Sequence, residues 1–224
     1  MSHARAHFQR VSATKASALA VEHGPINCTA YELMLVKLAE DKRRLKQVQS
    51  MEGKAEVKRH VLPDYAPWVE GALEGGKGQP DDVLMTVMTW RIDAGDYSGA
   101  LDIAEYALAH GLPLPDQFSR TTATVVAEEI ADAAKRARDG KRPFDVKVLS
   151  YTAELTAAHD MPDQVRAKLL KEAGLAMVEA APVAALEHLR RAQQLHGAVG
   201  VKKDIERIER HLKNSAPPPA GGQA

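Results

Sequence analysis

The residues best suited to chemistry are carboxylates in the middle of the chain. Asp93, Asp96 and Asp102 fall close together, as do Glu128, Glu129 and Asp132. Several carboxylates converging on one or two cations are what a metal-dependent nuclease requires. Each also has a plainer use as turn former, helix cap or solvated helix face. Neither group carries a histidine or a second motif at a recognisable spacing, so no metal ligand is assigned. The nine histidines form no HExxH motif and define no zinc site. The stretch Gly71-Ala72-Leu73-Glu74-Gly75-Gly76-Lys77-Gly78 satisfies GxxxxGK, but Gly78 stands where a phosphate loop needs Ser or Thr to hold magnesium. It also follows an apolar helical segment rather than a strand. No nucleophile elbow is present, and the single Cys28 has no matched histidine motif. The residues therefore assign neither a cofactor nor a catalytic group.

Basic residues give a clearer signal. Lys42, Arg43, Arg44 and Lys46, followed by Lys54, Lys58 and Arg59, lie on or beside one helical stretch and are candidates for DNA phosphate contact. Such contacts position a protein on a duplex without reading its sequence. The same residues would also suit the exposed face of a packed helix. The zero net charge conceals a segmentation. Residues 1–62 hold 11 Lys and Arg against 6 Asp and Glu, residues 63–133 hold 3 against 13, and residues 134–224 hold 16 against 11. A basic–acidic–basic chain can present one end to nucleic acid while its middle repels it.

The elements that must position these residues read as helices throughout. Aromatic residues make up only 4% of the chain, Ala and Leu abound, and β-branched runs bounded by turns are absent, so the expected class is all-α. The length allows one large helical domain or two small ones. Lone Cys28 fits a reducing compartment, and no apolar run has signal-peptide or membrane-spanning length, so a soluble cytoplasmic protein is expected.

Residues 1–28 read as a flexible basic arm with at most a short helix. From Thr29 a long amphipathic helix is predicted, with Thr29 and Glu32 at capping-box spacing and Tyr31, Met34, Leu35, Leu38, Leu45 and Val48 as its stripe. Asp81 to Gly111 reads as a helical hairpin. Asp81 or Asp82 caps its first arm, Val83, Leu84, Val87, Met88 and Ile92 form the first stripe, and Gly95-Asp96 makes the turn. Residues 29–111 thus form a helical core and 112–213 a C-terminal helical array. Within the array helices are expected over Thr121–Asp139, Asp145–Ala158, Pro162–Ala180, from Pro182, and over Val201–Lys213. Residues 214–224 read as a disordered tail.

The hairpin has Gly95, Tyr97, Ala100 and Ala107 at the relative spacing of a tetratricopeptide unit, and Gly174 to Leu195 is a weaker echo. The two lie 85 residues apart, from Ala100 to Ala185, so tetratricopeptide-like packing is expected rather than a regular solenoid.

Five stretches together carry a resemblance. TAYELMLVKLAEDKRRLK, LPDYAPWVEGALEGGKGQPDDVLMTVMTWRIDAGDYSGALDIAEYALAHGL, LTAAHDMPDQVRAKL with VAALEHLRRAQQL, and GVKKDIERIERHLK resemble a phage small terminase subunit. The particular family is that of temperate contractile-tailed, cohesive-end phages, whose members are labelled terminase, endonuclease subunit. The likeness runs collinearly from Arg10 to Lys213. It implies a role in genome packaging: recognising the packaging site on concatemeric double-stranded viral DNA and delivering it to a large ATPase subunit. It also implies a homo-oligomeric ring and a place in the cytoplasm of a bacterial host. No helix-turn-helix precedes the long helix, and no nuclease constellation is present onto which catalytic residues could be carried. The resulting expectation is a non-catalytic DNA-recognition subunit. Two alternatives stand beside it: that the chain is itself the metal-dependent endonuclease, or that it is a protein-only tetratricopeptide-like adaptor.

Overall fold

The computed structural model describes residues 2–23, 29–115 and 120–215. These are all-helical, without a strand among them, as the composition led one to expect. The chain divides into two compact units, Met1–Val126 and Ala127–Ala224, and the units part inside a helix. Cys28, the side chain of the proposed cap Thr29 and residues 216–224 of the predicted tail lie outside those described, while residues 214 and 215 of that tail end the last helix. Among the described residues no helix is long and apolar enough to cross a membrane.

The first unit contains α1 (His3–His23), α2 (Thr29–Gln47), α3 (Met51–Val61), a 3₁₀ turn at Leu62–Asp64, α4 (Ala66–Gly75), α5 (Asp82–Ala94) and α6 (Tyr97–Ala109). The expected flexible arm is instead largely the helix α1, which packs against α4. Its sequence shows no apolar stripe because the contact is made by small groups. Ala13 is buried, and Gly71 of α4 lies so close to α1 that an added Cβ would sit 2.2 Å from the Arg10 carbonyl oxygen. The first glycine of the apparent phosphate loop is therefore a helix-crossing residue. Its Lys77 follows the C-terminal end of α4, so the backbone N–H cradle that a phosphate loop takes from a helix N-terminus is not there.

The predicted long helix from Thr29 is α2, which ends at Gln47. After α2 the chain turns at Val48–Ser50, and Ser50 caps α3 by accepting from the Gly53 N–H at 3.1 Å. The hairpin has the predicted limits. Asp81 caps α5 through the N–H groups of Val83 and Leu84, Gly95 ends it at φ 87°, and Asp96 caps α6 through the Gly99 N–H. The left-handed φ at position 95 is open to glycine without the steric cost that a Cβ imposes. One expectation needs correction: α5 is not a one-faced helix. Met85, Thr86 and Trp90 are buried along with the predicted stripe, because α5 is enclosed by its neighbours.

The second unit holds the body of α7 (Thr122–Asp139), α8 (Val146–Leu155), α9 (Asp163–Met177), α10 (Pro182–Leu195) and α11 (Lys202–Ser215). Pro162 is the cap of α9 rather than its first residue, whereas Pro182 does open α10. Close contact between α9 and α10 depends on Gly174, where an added Cβ would meet Leu189 Cγ at 2.8 Å. Ala185, Leu186, Leu189, Val201, Ile205 and Ile208 form the core that joins α10 to α11.

Candidate nucleic-acid interface

The candidate surface is built on α2. Met34, Leu38, Asp41 and Leu45 recur at four-, three- and four-residue spacing and are all buried, which fixes the inward face of the helix. Arg43 then lies on the opposite side, with Arg44 and Lys46 flanking it, all three exposed. Leu33 and Val36, 61% and 56% exposed, share this outer side one to three turns earlier. The outward surface of α2 thus carries Leu33 and Val36 near its start, with exposed Glu32 and Glu40 on the same side, and is cationic near its end.

Two anchors hold that helix. Near its start, Tyr31 stacks on Trp68 of α4, with ring centroids 5.7 Å apart and planes 25° from parallel. The Tyr31 hydroxyl also accepts from the Asp82 N–H at 3.1 Å. Trp68 in turn donates its indole N–H to Asp81 at 2.8 Å, so α2, α4 and α5 meet around one carboxylate. That carboxyl is fully enclosed, and burial pushes it up to about 6 although Leu84, Trp68 and Val83 all donate to it. Farther along, Asp41 accepts from the Tyr65 hydroxyl at 2.7 Å and from Lys37 at 2.8 Å. Lys37 also reaches Asp64 at 3.2 Å and lies 4.7 Å from the Tyr65 ring centroid. Burial and the neighbouring carboxylates push both the Tyr31 and Tyr65 hydroxyls well above the usual tyrosine range, so they remain protonated hydrogen-bonding groups.

The seven predicted DNA contacts separate into different environments. Lys42 is half-buried; desolvation lowers its pKa from the ordinary lysine value, opposed by Asp82. Arg43 bonds the Ala39 carbonyl of its own helix at 3.3 Å, which leaves its charge unneutralised by that contact. Lys54 is half-buried on α3. Lys58 is bound to Asp93, while Arg59 holds Glu56 at 2.7 Å and the Ala94 carbonyl at 3.4 Å. These last two residues pin α3 to the α5–α6 turn, and their charges are already partnered. Of the seven, Arg43, Arg44 and Lys46 form the coherent outward group.

The carboxylates considered for metal chemistry are spread among other tasks. Asp93 takes Lys58, and Asp96 caps α6 and approaches Arg91 at 3.5 Å. In the second unit Asp132 pairs with Lys168 at 2.5 Å. His3 and His7 do stand four residues apart, but both are exposed on α1. Among the described residues no group of three or more His, Cys, Asp or Glu side chains is placed to hold a metal ion.

Sequence reasoning missed the two anchors. Asp41 carried a signal, since a carboxylate in register with Met34, Leu38 and Leu45 must find partners when buried. Tyr31 and Trp68 carried none, because neither their separation nor their spacing foretells stacking.

A model of the phage small terminase subunit family matches residues 35–164, which contain most of α2 and the hairpin. The "Terminase, endonuclease subunit" of Escherichia phage P2 is 51% identical over 217 residues, covering 96% of this chain and 87% of that protein. The "Probable terminase, endonuclease subunit" of Haemophilus phage HP1 is 26% identical over 219 residues, covering 90% and 75% respectively. No solved structure matches the chain. With more than half of its length matched by the family model and nearly all of it aligned to the phage P2 protein, the chain belongs to the phage small terminase subunit family.

Proposed function

We propose that this terminase subunit binds the packaging site on concatemeric double-stranded viral DNA through the outer face of α2 and delivers that DNA to a large ATPase subunit. The observation that carries the reading is the outward group Arg43, Arg44 and Lys46, on a helix fixed from behind by Tyr31 and Asp41. A rigid helix with unpaired cations on one side can contact successive phosphates without reordering. We assign ring-like self-association to the same subunit as part of this role, and to the assembled terminase the cutting that the relatives' names describe.

The test measures anisotropy of a labelled duplex bearing the packaging site across a range of salt concentrations. Two lost phosphate contacts reduce the slope of log affinity against log salt by about 1.8, so Arg43→Gln with Arg44→Gln should flatten it by that amount. Lys58→Gln with Arg59→Gln serves as the control and should leave the slope near that of the parent protein. Unchanged affinity and slope in the α2 variant would defeat the assignment. A second assay incubates the partner-free protein with site DNA and magnesium. Nicking abolished by Asp96→Asn would transfer the cutting centre to this chain.

A further inference from the structure

The C-terminal end of α7 carries a second basic feature, in the second unit and separate from α2. The run Lys135, Arg136, Arg138, Lys141 and Arg142 places five cations in eight residues, with Asp139 the one acid among them. Complementing the helix dipole explains cations in the last turn, but it does not explain Lys141. That residue lies beyond the helix end at φ 53°, the one non-glycine residue with positive φ among those described. Lys141 N–H bonds the Arg138 carbonyl at 2.9 Å and Arg142 N–H bonds the Ala137 carbonyl at 2.8 Å. This is the helix-stop motif in which glycine usually occupies the left-handed position. A glycine is at hand, but it sits one residue early, at Gly140. A lysine in the left-handed position costs backbone energy that glycine would not, and such outliers point toward function.

Around this turn lies a pocket of about 390 Å³, within the size range of small-molecule sites. Arg138, Lys141 and Arg142 line one part of it, and Phe144, Leu149 and Leu175 supply apolar wall. Glu172, only 3% exposed, fixes the Arg138 guanidinium by accepting from Nε at 2.8 Å and Nη2 at 3.0 Å. Arg138 Nη1 is 3.4 Å from Asp139. Arg142 folds over Gly140, its Nε 3.4 Å from where a Cβ would stand there. Glu172 is the one carboxylate in the lining, and with Asp139 it takes up the charge of Arg138, which leaves Lys141 and Arg142 as the cations facing the pocket. A pocket with two adjacent cations beside an apolar wall matches a phosphate ester attached to a planar, weakly polar group.

We propose that this pocket binds a nucleotide unit, with Lys141 and Arg142 on the phosphate and the base against the Phe144 and Leu175 wall. A duplex hides its base faces, so the two sources of such a unit are single-stranded nucleic acid and a free nucleoside phosphate. The site is distinct from the duplex-binding face of α2 and does not depend on it.

The decisive variant is Lys141→Gly, which removes the charge while relieving the backbone, so misfolding is not an available explanation for lost binding. The probes are a labelled single-stranded oligothymidylate and ATP, titrated against the full chain. Lys141→Gly should raise the melting temperature and weaken probe binding severalfold. Together with Arg142→Gln it should reduce the oligonucleotide's salt slope by about 1.4, two single-strand contacts' worth. Phe144→Leu should weaken binding with the slope unchanged. Loss for the oligonucleotide alone assigns the pocket to single strands, loss for ATP alone to a free nucleotide, and loss for both to the nucleotide unit in either form. A stabilised Lys141→Gly variant that binds both probes like the parent overturns the proposal, and duplex affinity reports separately on α2.

Discussion

Asp81 is the joint on which the α2 surface depends, and replacing it tests that dependence in stages. Its Oδ1 accepts the Val83 and Leu84 N–H groups at 2.9 Å each, and its Oδ2 accepts the Trp68 indole N–H at 2.8 Å. Serine can keep the cap but cannot also reach the indole, so Asp81→Ser leaves a buried donor unsatisfied, at a cost of about 1–3 kcal/mol. Alanine also forfeits the cap, adding about 1 kcal/mol. Urea unfolding at pH 7 measures both. In a double-mutant cycle with Trp68→Phe, which removes the indole donor, the serine variant's cost should largely disappear. An equal cost in both backgrounds would refute the account of the indole bond. The pH dependence supplies a second check. Burial raises the folded-state carboxyl from 3.8 to about 6, so the folded protein binds the extra proton across that interval. Stability from this group is therefore full below the unfolded value and is lost as pH rises through the folded one. At 1.36 kcal/mol per unit, the loss approaches about 3 kcal/mol between pH 4 and pH 7. The parent protein should lose stability relative to Asp81→Ser over that range. A relative gain would mean that the three donors outweigh burial.

Two further substitutions test the packing of the first unit. Gly71→Ala would ordinarily strengthen a helix by about 1 kcal/mol. Here the new Cβ would stand 2.2 Å from the Arg10 carbonyl oxygen, so a lowered melting temperature and faster amide exchange in α1 are expected. Thr86 is buried on α5 with no partner for its hydroxyl oxygen, so Thr86→Val should raise stability by about 1 kcal/mol in urea unfolding. A destabilised valine variant would show that the hydroxyl is bonded.

What could be read from the sequence followed from whether a residue's partner is local or distant. The hairpin was legible to its caps because Asp81, Gly95 and Asp96 act on backbone groups within a few residues of themselves. The end of α2 had a local sign too, since the apolar stripe stops at Val48 and Ser50 precedes Gly53 at capping distance. Helix α1 was invisible because its buried residues, among those described, are Gln9, which reaches Met34 of α2, and Ala13, which meets Gly71 of α4, contacts that leave no apolar period. The candidate interface was half legible for the same reason. Charge density correctly singled out residues 42–59 as basic, yet it could not separate Arg43 and Arg44 from Lys58, whose charge is taken up by Asp93 from 35 positions away. The turn at Lys141 shows the converse. Nothing in the sequence distinguishes its cations, and only the structure shows that Lys141 sits in a left-handed backbone while the charge of Arg138 is taken up by the buried Glu172. A basic run marks where phosphate contact is affordable, and the pairing of each cation decides which of its members remain available to make it.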